Sequence, residues 1–236
     1  MTMITSPHNE KLKLIRRLGR RRSREREGLF IAEGEDLLVA AREAGAEPVE
    51  LLTAAGEGLG GTEVEPALLD RFSKLGSGTR AIGVWRESWA EHAEAPCVYL
   101  HGVSDPGNVG TVIRTAHALV GGSVALGPDC ADPYGPHAVR ASMGAVFAEP
   151  LLRGGIDATP EPRAALVARG GESLDALESA ATICLGAERD GLPEATVERC
   201  DVRVTIPLRE GAESLNVAAA AAIALQRIAS AGEGHG

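Results

Sequence analysis

The chain has 236 residues, enough for one large domain or two small ones. Hydrophobic residues make up 44% and aromatics only 3%, so a core forms without staples and is built from Ala, Val, Leu and Ile. Cys97, Cys130, Cys184 and Cys200 show no metal-ligand or disulfide-framework spacing, the N-terminus lacks a signal-peptide core, and no apolar run approaches the ~20 residues that span a bilayer; a cytoplasmic protein in a reducing compartment, with no metal and no membrane, is expected.

The net charge of −9 argues against nucleic acid until its distribution is considered. Residues 1–30 hold nine Lys/Arg against three acids, a local +6, leaving −15 on the rest. Such a block either coats a solvated helix or attracts phosphates by counterion release.

In chain order, Ser6-Pro7 starts a helix running through Arg22, with Leu12, Ile15 and Leu18 on one face. A strand at Leu29–Ala32, a helix closed by Gly45, a strand at Val49–Thr53, a helix over Pro66–Leu75 and a strand at Ile82–Trp85 complete a small α/β module. The polar stretch Arg86–Pro96 is its linker. Domains are expected at 1–88 and 97–236, joined by 89–96. A regular alternation then begins. Apolar strands at Cys97–His101, Ser123–Leu126, Phe147–Leu152, Ala164–Ala168, Thr182–Leu185 and Val202–Ile206 are interleaved with helices at Asn108–Leu119, His137–Met143 and Val217–Ala229. Strands apolar at every position imply a mainly parallel sheet covered on both faces. The two prolines between Gly154 and Arg163 oppose a helix there. Gly232–Gly236 reads as a frayed tail.

Three segments carry the polar groups of a site. In the first, Asp105 to Ala116, glycines follow a strand and let backbone approach a ligand. Asn108 is either a helix N-cap or a site residue, and Arg114 falls on the exposed face, opposite Val109, Val112 and Ile113. In the second, Leu185 to Pro193, two glycines bracket Glu188, Arg189 and Asp190; a purely structural turn more often uses Asn or Ser. In the third, Ile206 to Leu225, a polar loop ends at Ser214-Leu215-Asn216 and opens an alanine-rich helix; Ser214 is again a possible cap, and a helix this apolar is expected to be buried on more than one face. No glycine fingerprint with a distal acid supports a Rossmann-type dehydrogenase.

Taken together, Asn108…Arg114, the Glu188 loop and Ser214…Asn216 resemble, in order and spacing, the motifs of the SpoU/TrmH family of RNA 2′-O-ribose methyltransferases of the SPOUT superfamily. Arg140, Ser142 and Gly144, and the N-terminal stretch from Asn9 to Gly34, resemble the family as well. The resemblance implies a mainly parallel α/β sheet with a C-terminal trefoil knot and a small L30e-like N-terminal α/β domain for substrate. It implies S-adenosylmethionine held near Leu185, Gly186, Ile206, Leu208, Leu215 and Asn216, and a homodimer with the C-terminal helix at its interface. It assigns catalytic roles to Arg114, Asn108, Glu188, Ser214 and Asn216. RNA, most of all ribosomal RNA, would be gripped by Lys11, Lys13, Arg16, Arg17, Arg20, Arg21, Arg22 and Arg140. Transfer RNA as substrate, or a non-catalytic RNA-binding protein on the same scaffold, are the alternatives.

Overall fold

The computed structural model describes residues 3–74, 76 and 78–233. It divides into two compact units, 1–87 with 132–148, and 88–131 with 149–236.

In the first unit, helix α1 (Glu10–Leu18) is capped by the Asn9 side chain, which accepts from the Lys11 N–H, and it buries Leu12, Ile15 and Leu18. The single helix read from sequence is broken at Gly19: Arg20 is extended and α2 (Arg21–Glu27) starts anew. The reason is Arg24, which turns inward and donates to the Leu18 carbonyl at 2.8 Å, satisfying an end that α1 leaves open. Strands β1 (Leu29–Glu33), β2 (Glu50–Ala54), β3 (Thr62–Val64) and β4 (Ala81–Arg86) form a sheet of order β1-β4-β2-β3, with β2–β3 its parallel pair. Helix α3 (Glu35–Glu43) ends where Gly45 takes a positive φ. Helix α4 (Pro66–Asp70) is shorter than its periodicity suggests; Leu75, its expected end, lies outside the described residues. Leu12, Ile15, Leu18, Ile31, Leu52 and Ile82 belong to a core on this sheet. Phe30 and Trp85 meet Tyr134 and Phe147, with ring centroids 4.7–5.6 Å apart for Phe30–Tyr134, Phe30–Phe147 and Trp85–Phe147. These rings fix 132–148 in this unit, as does the buried pair of Arg24 with Asp132 at 2.6 Å. Helix α6 (Pro136–Ala141) belongs to that segment.

The second unit is a six-stranded, wholly parallel sheet. Its strands are β5 (Cys97–Leu100), β6 (Ser123–Leu126), β7 (Leu151–Arg153), β8 (Arg163–Leu166), β9 (Thr182–Leu185) and β10 (Val202–Val204), in the order β10-β8-β9-β5-β6-β7. Where extended chain was expected from Phe147, a 3-10 turn at Ala145–Phe147 precedes β7. Helices α5 (Pro106–Leu119), α7 (Glu194–Val197) and α8 (Val217–Glu233) follow β5, β9 and β10. Between β7 and β8 lies only a 3-10 turn at Ile156–Ala158, as the prolines suggested. The α8 helix packs on α5, on the 3-10 turn at Leu174–Ser179 and on β9, and buries Val217, Ala218, Ala221, Ala224 and Leu225, while Ile223 stays exposed. Residues 234–236 of the expected tail lie outside the described residues.

Candidate active site

In a parallel sheet the loops leaving the carboxyl ends of the strands gather on one edge, and ligands bind there. The registers align Leu185, Leu100, Leu126 and Arg153 in one row across β9, β5, β6 and β7. The loops leaving β8, β9 and β10 line a cavity of about 580 Å³, within the range of ligand sites.

The loop after β9 is closed on itself. The Ala187 N–H donates to Gly191 O at 3.1 Å and the Gly191 N–H returns to Ala187 O at 2.9 Å. A Cβ on Gly186 would lie 2.0 Å from the Gly191 carbonyl carbon, so no larger residue fits that position. Glu188, Arg189 and Asp190 are thereby held at the tip of the turn.

Helix α5 begins three residues earlier than Asn108 would imply as a cap. Asp105 is the N-cap and accepts from the Asn108 N–H at 2.8 Å, with Pro106 in the first turn. The Asn108 side chain is therefore free, and it donates from Nδ2 to Glu188 Oε1. Asn216 completes a triangle: its Nδ2 lies 3.0 Å from Glu188 Oε1 and 3.1 Å from Asn108 Oδ1. Its Oδ1 accepts from the Ala218 and Ala219 N–H groups at 2.9 and 3.3 Å. Asn216, not Ser214, caps α8. One side chain thus starts the last helix and joins the other two segments.

Leu185, Gly186, Ile206, Leu208, Leu215, Glu188 and Ser214 line the cavity; Asn108 and Asn216 reach it through Glu188. Arg114 does not join them. It is exposed on α5, six residues beyond Asn108, which is about 9 Å along the axis and a third of a turn round it. The cavity also takes in Leu166 to Arg169, a stretch that the sequence marks as strand but not as cavity wall. It lies beside β9 through strand order, which no local pattern encodes.

The cavity suits a ligand with an apolar ring and charges of both signs. Leu166, Leu185, Ile206 and Leu208 supply apolar wall; Glu188, Asp190 and Glu213 can face a cation, and Arg169 and Arg189 a carboxylate. Among the described residues no group of three or more His, Cys, Asp or Glu is placed to hold a metal.

In the first unit, most of the basic block is neutralised locally. Lys11 pairs with Glu50, Lys13 with Glu10, Arg17 and Arg26 with Glu27, and Arg21 with Glu25. Arg140 pairs with Asp36. Arg24 is buried. Arg16 lies over the Phe72 ring, and it, Arg20 and Arg22 are exposed with no carboxylate partner among the described residues.

Residues 95–226 carry the pattern of the SpoU rRNA Methylase family. The chain belongs to that family. Residues 9–87 match the MRM3-like substrate binding domain. The chain is 31% identical over 242 residues to the 23S rRNA (guanosine(2553)-2′-O)-methyltransferase RlmP of Bacillus subtilis, covering 94% of this chain and 97% of that one. It is 35% identical over 142 residues to an uncharacterized tRNA/rRNA methyltransferase of Mycobacterium tuberculosis, but there it spans only about half of the relative, 48%. The AdoMet-bound rRNA methyltransferase of Sinorhizobium meliloti superposes with a TM-score of 0.85 at 27% identity, covering 96% and 97% of the two chains. The parallel sheet of the second unit is thus a SpoU-family sheet.

Proposed function

We propose that this chain is an S-adenosylmethionine-dependent RNA 2′-O-ribose methyltransferase that acts on ribosomal RNA. The observation that carries the reading is the Asn108–Glu188–Asn216 triangle, drawn from three distant segments and set against the cavity. The full-length relation to RlmP and the N-terminal substrate-binding match favour ribosomal RNA over transfer RNA.

Leu185, Gly186, Ile206, Leu208 and Leu215 would hold the cofactor, with carboxylates of the loop tip toward its positive charge. When bound, S-adenosylmethionine supplies a methyl group already activated by a sulfonium. What remains for the protein is to align the ribose hydroxyl and ease removal of its proton. Asn108 and Asn216, held through Glu188, orient the ribose, and Ser214 donates to the nucleotide. Arg114 acts as an electrostatic clamp on the developing alkoxide and a neighbouring phosphate, whose oxygen takes the proton. A guanidinium with a pKa above about 12 is a poor base but a good bidentate donor.

The homodimer and the trefoil knot implied by the family belong to the same proposal. Ile223, exposed on the side of α8 opposite its buried residues, supports a second copy there. Arg114 lies outside the cavity of its own chain, so the clamp is completed by the substrate's approach or by the partner copy. No helix among the described residues is long and apolar enough to cross a membrane, and the substrate assigns the protein to the cytoplasm.

Calorimetric titration with S-adenosylmethionine and mapping of 2′-O-methyl groups on 23S rRNA test the reading. Cofactor binding with methylation is expected. RNA binding without cofactor binding would leave a non-catalytic scaffold, and methylation of transfer RNA alone would move the substrate. Arg114→Lys keeps charge but loses the planar fork, so its turnover should collapse. Near wild-type turnover would exclude the clamp. Mixing inactive Arg114→Ala and Asn216→Ala chains restores partial activity only if the site is shared between copies.

A further inference from the structure

The linker contains an aromatic residue that catalysis leaves unused. Of the two tryptophans, Trp85 is buried in the first unit, whereas Trp89 is only partly buried at the start of the second. The Arg153 guanidinium stacks over the Trp89 ring, 4.3 Å from its centroid. Arg153 is exposed, and no carboxylate pairs with it among the described residues. One face of the guanidinium meets the ring, and the charge is spent on no acid.

The backbone fixes where this stack stands. The Ala90 N–H donates to Leu151 O and the Glu94 N–H to Ser123 Oγ, both at 2.8 Å. The linker therefore runs back along the β7 edge, from the carboxyl end of the sheet toward the opposite end. Trp89 stays at the carboxyl end with Arg153. Arg153 shares a register row with Leu126, Leu100 and Leu185. Leu185 lines the cavity, and Leu100 leads into the loop before Asn108. The stack thus lies two strand spacings beyond β5, about 10 Å, on the side away from the cavity. It occupies the same edge as the ribose-orienting asparagine, and one residue from the point where the chain enters from its substrate-binding unit.

We propose that Trp89 and Arg153 form a second RNA contact, a stacking platform for an unpaired nucleotide beside the methylated one. The base lies on the open face of the guanidinium, extending the Trp–Arg stack. Planar guanidinium over an aromatic ring is a surface on which any base stacks, and its charge stays available to the adjoining phosphate. In a chain of net charge −9 an unpaired arginine at this edge also offsets local repulsion of RNA. The proposal rests on the reading of the chain as an RNA methyltransferase. Its rival is that the stack merely fastens the linker to β7.

The test compares wild type with Trp89→Ala, Trp89→Phe and Arg153→Gln. It reads affinity for a short unpaired oligoribonucleotide, methylation of 23S rRNA, S-adenosylmethionine affinity and melting temperature. Trp89→Ala and Arg153→Gln should weaken RNA binding by about fivefold to a hundredfold with cofactor affinity unchanged. Trp89→Phe should recover most of the RNA affinity. RNA should quench tryptophan emission in wild type and not in Trp89→Phe, because the buried Trp85 is out of reach. If Trp89→Ala unfolds, Arg153→Gln, a surface change, decides alone. Wild-type RNA affinity in Arg153→Gln, or quenching that persists in Trp89→Phe, overturns the platform. A wild-type chain that binds cofactor and methylates RNA while both variants match it removes the platform only; a wild-type chain that does neither removes the enzymatic reading and the platform together.

Discussion

Asn216 does two jobs with two ends of one amide, and the ends can be separated by substitution. Its Oδ1 caps α8 through the Ala218 and Ala219 N–H groups, and its Nδ2 donates to Glu188 and Asn108. Asn216→Ala loses both. Losing the cap costs about 1 kcal/mol, which lowers the melting temperature by roughly 2–4 °C in a chain of this size. Asn216→Asp keeps the capping oxygen and adds a negative charge at a helix N-terminus, so α8 should be as stable as before. The same change replaces the donor by a carboxylate oxygen at the position 3.0 Å from Glu188 Oε1. Two unit charges at that distance repel by about 1.4 kcal/mol even in a water-like medium. Glu188 is then pushed off Asn108, and misplacement by an ångström is enough to lower turnover about a hundredfold. Circular dichroism melting and transfer of labelled methyl groups to 23S rRNA measure the two effects. The aspartate variant should melt like wild type and be nearly inactive; the alanine variant should fail in both. Wild-type turnover in Asn216→Asp would show that the triangle does not position substrate. An unchanged melting point in Asn216→Ala would show that the cap is elsewhere.

Replacing Arg16, Arg20 and Arg22 together by Gln should flatten the dependence of log RNA affinity on log salt by about two to three, whereas Lys13, Arg21 and Arg26, already paired with acids, should matter less. Equal effects of the two triples would mean that local pairing does not select the contacts. Deleting residues 1–30 is the poorer experiment, since it removes Leu12, Ile15, Leu18 and Arg24 from the core. Arg24→Met leaves Asp132 buried without its partner and should cost about 3–5 kcal/mol, read as a lower denaturant midpoint; a loss below 1 kcal/mol would show that the pair is dispensable. Burial pushes the Glu149 carboxyl above its ordinary 4.5, opposed by His117 Nδ1 at 2.7 Å, and Glu149 Oε2 is buried with no partner among the described residues. The folded state therefore holds this proton longer than the unfolded chain. That contribution to stability is complete below pH 4.5 and is lost as pH rises through the higher folded value. Glu149→Gln should remove this slope from midpoints measured between about pH 4 and 7; an identical slope in the variant would assign it to other groups.

The strands of the second unit were legible because the sheet is covered on both faces. Cys97–Leu100, Ser123–Leu126 and Thr182–Leu185 are buried at every position, so the run itself is the signal. Their order was not legible. Periodicity reports which residues are inside, not which strand lies beside which, and so Leu166 to Arg169 went unnoticed as cavity wall. Which residue caps each site helix was not legible, because a cap is defined by where the first turn starts. A shift from Asn108 to Asp105, or from Ser214 to Asn216, leaves the apolar pattern unchanged. In the basic block, charge alone could not separate Arg24, whose partner Asp132 stands 108 positions away, from its solvated neighbours.

The rings of Tyr134 and Phe147 close over Phe30 and Trp85, although more than 40 residues of the other unit intervene before Tyr134. Cutting a gene after codon 87 would therefore yield a fragment with a naked aromatic face, prone to clump. To obtain a soluble stand-alone piece, 132–148 has to travel with it, spliced on or added as a peptide. Shuffling of this module between proteins faces the same obstacle: the piece that moves is not one uninterrupted stretch of sequence.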